Sequence, residues 1–285
     1  MKLRPISTSL SLGLTLLLTA CSAPESTEDL RIVTLGSAVT EIACALGATD
    51  SLVAVDSSSR FPANVNVLPK VGYFRTISAE GVLSMRPTLV LAGQGAGPET
   101  ALTRIQEAGV QVLEVHKTPT MESVSRAIEE IGKALGREKE AGRLIADLNN
   151  QLRGAEKKRD SFEKNPRVVF LMSIVENGGL NAAGRGTAAD EMIRLAGGVN
   201  VMADVSDYRS VSAEALASRE PDVILYSAGF DGSPGEVGGR LNEPWAKATP
   251  AGLHGRTYPI DIGYYLVLGP RIGQAVHDLM ALIHE

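Results

Sequence analysis

The densest group of chemically capable side chains in this chain is Val71-Gly72-Tyr73-Phe74-Arg75, where a phenol and a guanidinium stand two positions apart. An ionised phenol presents a hard anionic oxygen, the kind of ligand that suits ferric iron. A free phenol has a pKa near ~10, so a cation or a bound metal must favour the phenolate at neutral pH. In an extended segment, positions i and i+2 project to one side, which would let Arg75 reach whatever Tyr73 holds through a charge-assisted hydrogen bond. On residue types alone, the plainer reading of Tyr73 is an ordinary half-buried tyrosine.

Other candidates are weaker. The loop Gly184-Arg185-Gly186-Thr187 precedes a helical run, Ala188 to Leu195, and its amides with Arg185 could hold an anion at the helix N-terminus. A plain turn remains open there, and a nucleotide loop does not, because the lysine and hydroxyl pair is missing. The four histidines, His116, His254, His277 and His284, are scattered and read as bland, which weakens a zinc or manganese site. Tyr208, Tyr226, Tyr264 and Tyr265 could line a cleft but read equally as core or surface. There is no Gly-x-Ser-x-Gly elbow and no histidine visibly paired with a nucleophile, which counts against a surface-anchored hydrolase. A formal charge of −5 leaves no basic excess for nucleic acid.

The elements that must position these residues follow from patterning. Lys2 and Arg4 precede an apolar stretch, Leu10 to Leu18, too short to cross ~30 Å of hydrocarbon but of signal-peptide length. It ends in Leu18-Thr19-Ala20-Cys21, similar to a bacterial lipobox, which predicts a lipid on Cys21 and an extracytoplasmic, lipid-anchored protein. Cys44 then lacks a disulfide partner within the chain and reads as a small buried hydrophobe. From Arg31 onward strands (32–35, 52–55, 89–92, 110–115) alternate with helices (38–46, 99–108), which predicts a parallel sheet covered by helices. Ala141, Leu144, Ile145, Leu148, Leu152 and Ala155 form one stripe of a helix predicted from Glu138 to Lys164, ~40 Å long, ended by Pro166. Alternation resumes at Val168 to Met172 and ends in a helix from Pro270 to His284.

The halves echo each other. Ile77-Ser78-Ala79-Glu80, Ser84, Pro87 and Leu89-Val90-Leu91 match Val211-Ser212-Ala213-Glu214, Ser218, Pro221 and Val223-Ile224-Leu225 in one register. Each reads as a serine N-cap, a short helix, a proline break and a buried strand. The expected architecture is α/β, with two Rossmann-like lobes of parallel sheet joined by one long backbone helix and a ligand cleft between them. The expected boundaries are signal peptide 1–20, lipidated tether 21–30, first lobe 31–117, helical linker 118–165 and second lobe 166–285.

Val71 to Pro87, together with Gly184 to Asp190, resembles the substrate-binding proteins of bacterial haem ABC importers, and the similarity runs over nearly the whole mature chain. The resemblance implies a protein without catalysis that carries haem b to the permease dimer of an ABC importer and works as a monomer. It implies Tyr73 as the axial ligand of the haem iron. Arg75 would be its neighbour, and Arg185 a further haem-binding residue. It also implies Glu80 and Glu214, one per lobe, as contacts for permease arginines, although an acid in a first helical turn complements the helix dipole in any case. Some members add a second-lobe histidine as another iron ligand. None falls in Ser173 to Gly179 here, which leaves one axial protein ligand. Another iron chelate or a corrinoid would suit the same architecture.

Overall fold

The computed structural model describes residues 30–115, 118–176, 178–228 and 235–285. The expected signal segment, Cys21 and His116 lie outside the described residues.

The first lobe is a parallel four-stranded sheet in the order β2 (Leu52–Val55), β1 (Ile32–Leu35), β3 (Leu89–Gly93), β4 (Gln111–Val115). Strand β1 is buried along its whole length and β3 along nearly all of it, as expected for strands covered on both faces. Helices α1 (Ser37–Ala45), α2 (Ala79–Leu83), α3 (Glu99–Glu107) and α4 (Met121–Ala134) cover this sheet. The backbone helix α5 (Glu138–Arg159) follows.

The second lobe runs β10 (Thr257–Ile260), β9 (Val223–Ser227), β5 (Arg167–Ile174), β6 (Leu180–Ala183), β8 (Tyr208–Val211), with β7 (Val199–Asn200) paired to the start of β5. Parallel pairing holds for β10, β9, β5 and β7. The sheet is nevertheless mixed, because β6 returns antiparallel beside β5 and pairs antiparallel with β8. A turn of a few residues permits that return, whereas a parallel partner needs a long crossover. Helices α6 (Ala188–Leu195) and α7 (Ala213–Ala217) and the C-terminal helix Ile272–Ile283 complete the lobe's main scaffold.

Helix α5 joins the lobes. It ends at Arg159, earlier than Pro166 requires. Ser161 donates through both its amide and its hydroxyl to Lys158 O, and Phe162 stacks on His284 at 3.6 Å, which turns the chain out of the helix. At 22 residues the helix is ~33 Å long. Ala141, Leu148 and Ala155 are buried two turns apart, along one stripe. Small residues let a helix of each lobe approach closely. A Cβ on Gly132 of α4 would lie 2.6 Å from the Ala141 Cβ, and one on Gly273 of the C-terminal helix would overlap the Gln151 side chain. The resulting core holds residues of both lobes, including Ile32, Ile42, Phe170 and Leu279.

The internal repeat holds at the level of hydrogen bonds. The Ser78 and Ser212 hydroxyls accept from Gly81 N and Ala215 N, at 2.9 and 3.1 Å. Ser84 and Ser218 donate to Gly81 O and Ala215 O, both at 2.8 Å. Arg86 and Glu220 leave each short helix in the left-handed region, at φ 49° and 45°. Arg31 then donates to the Met85 and Arg86 carbonyls, as Arg167 does to those of Arg219 and Glu220.

Leu148→Ala should therefore destabilise the protein by about 2–5 kcal/mol in denaturant unfolding, because it opens a cavity in the shared core. Lys139→Ala, on the exposed face of the same helix, should change stability by less than ~0.5 kcal/mol.

Candidate functional site

In open α/β sheets ligands settle outside the carboxyl ends of the strands. In the first lobe those ends lead into Gly36–Ser37, Asp56–Phe61 and Gly93–Gly97; in the second, β10 leads into Asp261–Tyr265. Sequence reasoning missed the residue that organises the first set. Asp56 is fully buried. Its Oδ1 accepts from Gly36 N at 2.9 Å and Ser59 Oγ at 2.5 Å, and its Oδ2 accepts from Ser58 N at 2.9 Å and Ser58 Oγ at 2.5 Å. Ser59 continues through Thr40 to Thr34. A buried carboxylate with four donors is a satisfied one, and it locks the loop after β2 onto the start of α1. The signal available in the sequence was an acid closing an apolar strand before three serines.

This framework carries the tyrosine segment. Val71 N donates to Val55 O at 3.1 Å, and Ser57 N donates to Gly72 O at 2.8 Å. Gly72 has φ 98°, a conformation that favours glycine, and delivers the chain into a turn closed by Thr76 N donating to Tyr73 O at 2.8 Å. Tyr73 is 46% exposed, with its ring edge-on to Phe74 at 4.8 Å. Among the described residues its phenol oxygen takes no hydrogen bond.

The extended geometry expected for Tyr73 and Arg75 does not occur, because the turn breaks the two-residue alternation. The Arg75 guanidinium lies 4.9 Å from the Phe74 ring centroid and presses on Gly95, where a Cβ would meet Nη1 at 2.6 Å. Gly95 has φ 77°, so glycine suits both its backbone and this contact. Gly97 N to Phe74 O and Ile77 N to Gly97 O, at 2.8 and 3.0 Å, bind the tyrosine turn to the loop after β3.

Four other tyrosines are less available. Burial raises the phenols of Tyr226 and Tyr265, and pushes that of Tyr208 up to about 12. Burial also raises Tyr264, whose hydroxyl donates to Asp278 at 2.7 Å.

Arg185, an expected haem-binding residue, is exposed and bonded to its own loop region. Its guanidinium donates to Ala203 O at 3.4 Å and Ser206 Oγ at 3.2 Å within its own lobe. The helix terminus beside it is also answered internally, since Gly186 N donates to Asp190 Oδ2 and Asp190 N to Thr187 Oγ1. Asp190 thus places a carboxylate at this helix terminus. His284 stacks on Phe162, with its Nε2 2.9 Å from Ala196 O, and burial lowers its pKa. Among the described residues no group of three or more His, Cys, Asp or Glu converges as a metal site.

Glu80 and Glu214 occupy the first turns of α2 and α7 and are both exposed. Glu80 has an ion pair with Arg104 at 3.8 Å, with both side chains largely in solvent, which is worth little. Its own backbone amide and the Ser212 hydroxyl hold Glu214 below the usual carboxylate range. No described helix is long and apolar enough to cross a membrane.

The periplasmic binding protein family model matches residues 32–261. Among solved structures, the periplasmic haem-binding protein RhuT from Roseiflexus superposes with a TM-score of 0.83 at 36% identity, over 90% of this chain and 98% of that one. An uncharacterised ABC transporter substrate-binding lipoprotein of Bacillus subtilis is 28% identical over 90% of this chain and 81% of its own length. A vitamin B12-binding protein of Vibrio parahaemolyticus is 28% identical over 69% of this chain and 70% of its own.

Asp56→Ala should cost about 1–3 kcal/mol in denaturant unfolding, because Gly36 N and Ser58 N lose their buried acceptor. Asp56→Asn, which keeps one acceptor oxygen, should cost less.

Proposed function

The chain belongs to the periplasmic binding protein family, and from that premise we propose that it captures haem in the cleft between its lobes and delivers it to an ABC importer. The observation that carries this reading is Tyr73: a half-exposed phenol with an open oxygen, held by a turn that the Asp56 network and the Gly93–Gly97 loop fix from two sides. Solved haem-binding relatives above 30% identity and spanning nearly the whole chain support it.

The iron of haem, as cargo, takes the Tyr73 oxygen as an axial ligand, and the phenolic proton leaves as the ferric charge favours the phenolate. The Arg75 guanidinium, exposed and held against Phe74 and Gly95, stands ready for a haem carboxylate. Arg185, exposed and bonded to Ala203 O and Ser206 Oγ, is a further haem-binding residue in this reading. The cleft lies between a first lobe spanning 31–117 and a second spanning 166–285, with 118–165 as linker. A lipid on Cys21 tethers the chain outside the cytoplasmic membrane. Two exposed acids at matched places, Glu80 and Glu214, suit a permease with two-fold symmetry. A second reading, capture of a corrinoid, draws on the similarity to the vitamin B12-binding protein.

Titration with haemin and with cobalamin, followed by absorbance, separates the two readings, since only the true ligand should saturate. In Tyr73→Phe the ring stays and the oxygen goes. The ferric tyrosinate band should disappear and haemin affinity should fall at least about tenfold, with residual binding from apolar burial. Arg75→Ala should weaken binding by roughly 1.5–3 kcal/mol while the band persists. An unchanged band and affinity in Tyr73→Phe would move the ligand elsewhere.

Replacing Glu80 and Glu214 together by alanine should leave haemin affinity intact and slow uptake in vesicles containing the importer. Wild-type uptake by that double variant would rule out the docking role.

A further inference from the structure

A strongly built contact between the lobes lies away from Tyr73. Arg271, at the start of the C-terminal helix, donates from Nε to Glu41 Oε2 at 2.9 Å and from Nη2 to Glu41 Oε1 at 2.6 Å. Its Nη2 also donates to Gly263 O at 2.9 Å. The guanidinium carbon stands 3.9 Å from the Phe61 ring centroid and 5.0 Å from that of Tyr264. Glu41 and Phe61 belong to the first lobe; Gly263, Tyr264 and Arg271 belong to the second. One guanidinium thus has a ring of each lobe close to it and a first-lobe carboxylate bound to its edge.

Several features make this more than a surface ion pair. The Glu41 side chain is 3% exposed and that of Arg271 24%, so separating them would take two charge-assisted hydrogen bonds from a buried carboxylate. The contact needs arginine, since only a planar fork bonds a carboxylate in bidentate fashion while its faces meet aromatic rings. The chain before Arg271 also closes on Glu41: a Cβ on Gly269 would lie 3.3 Å from Glu41 Oε2. Phe61 is 43% exposed despite the contact and sits in the loop that leaves β2 toward the cleft. That loop is the one Ser57 joins to Gly72, next to Tyr73.

We propose that Glu41 and Arg271 form an inter-lobe clasp that sets the spacing of the lobes at the cleft floor and holds Phe61 as part of its wall. Retention of the bound ligand then depends on residues that do not touch it. The inference deepens the reading of the cleft as the ligand site, and rests on it for the retention effect alone. Glu41 and Arg271 are positioning residues.

The test combines two measurements on Arg271→Ala, Arg271→Lys and Glu41→Gln. The first is haem loss from the loaded protein to excess apomyoglobin, at a temperature where unfolding shows every variant folded. Arg271→Ala should release haem roughly tenfold faster or more, as expected for losing a buried charge-assisted contact. Arg271→Lys, which keeps the charge but not the fork, should be intermediate. The tyrosinate band should keep its position throughout, which a general loosening of the Tyr73 turn would not allow.

The second measurement needs no ligand. Nitroxide labels at Glu107→Cys and Lys247→Cys, exposed positions on opposite lobes, are introduced with Cys21→Ser and Cys44→Ser. Their distance distribution should be narrow with the clasp intact and broader or displaced in Arg271→Ala and Glu41→Gln. Unchanged distances together with an unchanged release rate would overturn the clasp. Should the parent protein fail to bind haemin at all, the haem reading falls, and the label distances alone decide the clasp.

Discussion

The whole structure depends on one apolar stripe of one helix. Ala141, Leu148 and Ala155 recur every two turns along α5 and are buried by helices of both lobes. Two separate α/β units would expose an apolar flank each and drift apart. Here those flanks meet on a shared helix, so the lobes are parts of one core. The arrangement leaves little freedom: Gly132 packs on Ala141 from one side and Gly273 on Gln151 from the other, so a sliding lobe would have to break close contacts. These contacts limit sliding along α5, and the spacing of the lobes beyond it falls to the groups that meet across the gap.

Those groups are held by polar networks that the apolar core makes possible. Asp56 is a fully buried acid, which is costly unless its oxygens find donors. Four donors from three residues reach them, and the same loop passes its order to Gly72 and on to Tyr73. On the opposite wall Tyr264 is committed to Asp278, and Arg271 bridges to Glu41 and Phe61. Tyr73 is the contrast: exposed, supported through its backbone, and with no hydrogen bond to its oxygen among the described residues. The scaffold supplies order up to that residue and leaves its side chain open.

The repeat shows why two halves with little sequence in common build alike. Arg31 and Arg167 close the same loop on carbonyls at equivalent places, and Arg86 and Glu220 take the same left-handed turn. A side chain in that region pays a conformational penalty, which the arginine's hydrogen bonds help to offset. The shared device presents Glu80 and Glu214 on short helices of the same build.

By itself the sequence determined whatever depends on local pattern. Strand and helix alternation, the apolar stripe of α5, the serine caps and the repeat register were legible because each follows from spacing of two or 3.6 residues and from capping chemistry. So was the Tyr73 motif as a place of interest. Only the tertiary structure decided what depends on distant groups. It turned the Tyr73–Thr76 segment and moved Arg75 onto Gly95. It placed the Asp190 carboxylate at the α6 terminus and tied Arg185 to Ala203 and Ser206. It made β6 antiparallel, which no residue pattern specifies. It paired Glu41 with Arg271 across almost the whole chain: an acid inside an apolar helical run looks like an anomaly until its partner arrives. The physical reason is common to all of these. Hydrogen bonds and ion pairs in a low-dielectric interior are chosen by which groups the folded core brings within about 3 Å, and sequence separation sets no limit on that.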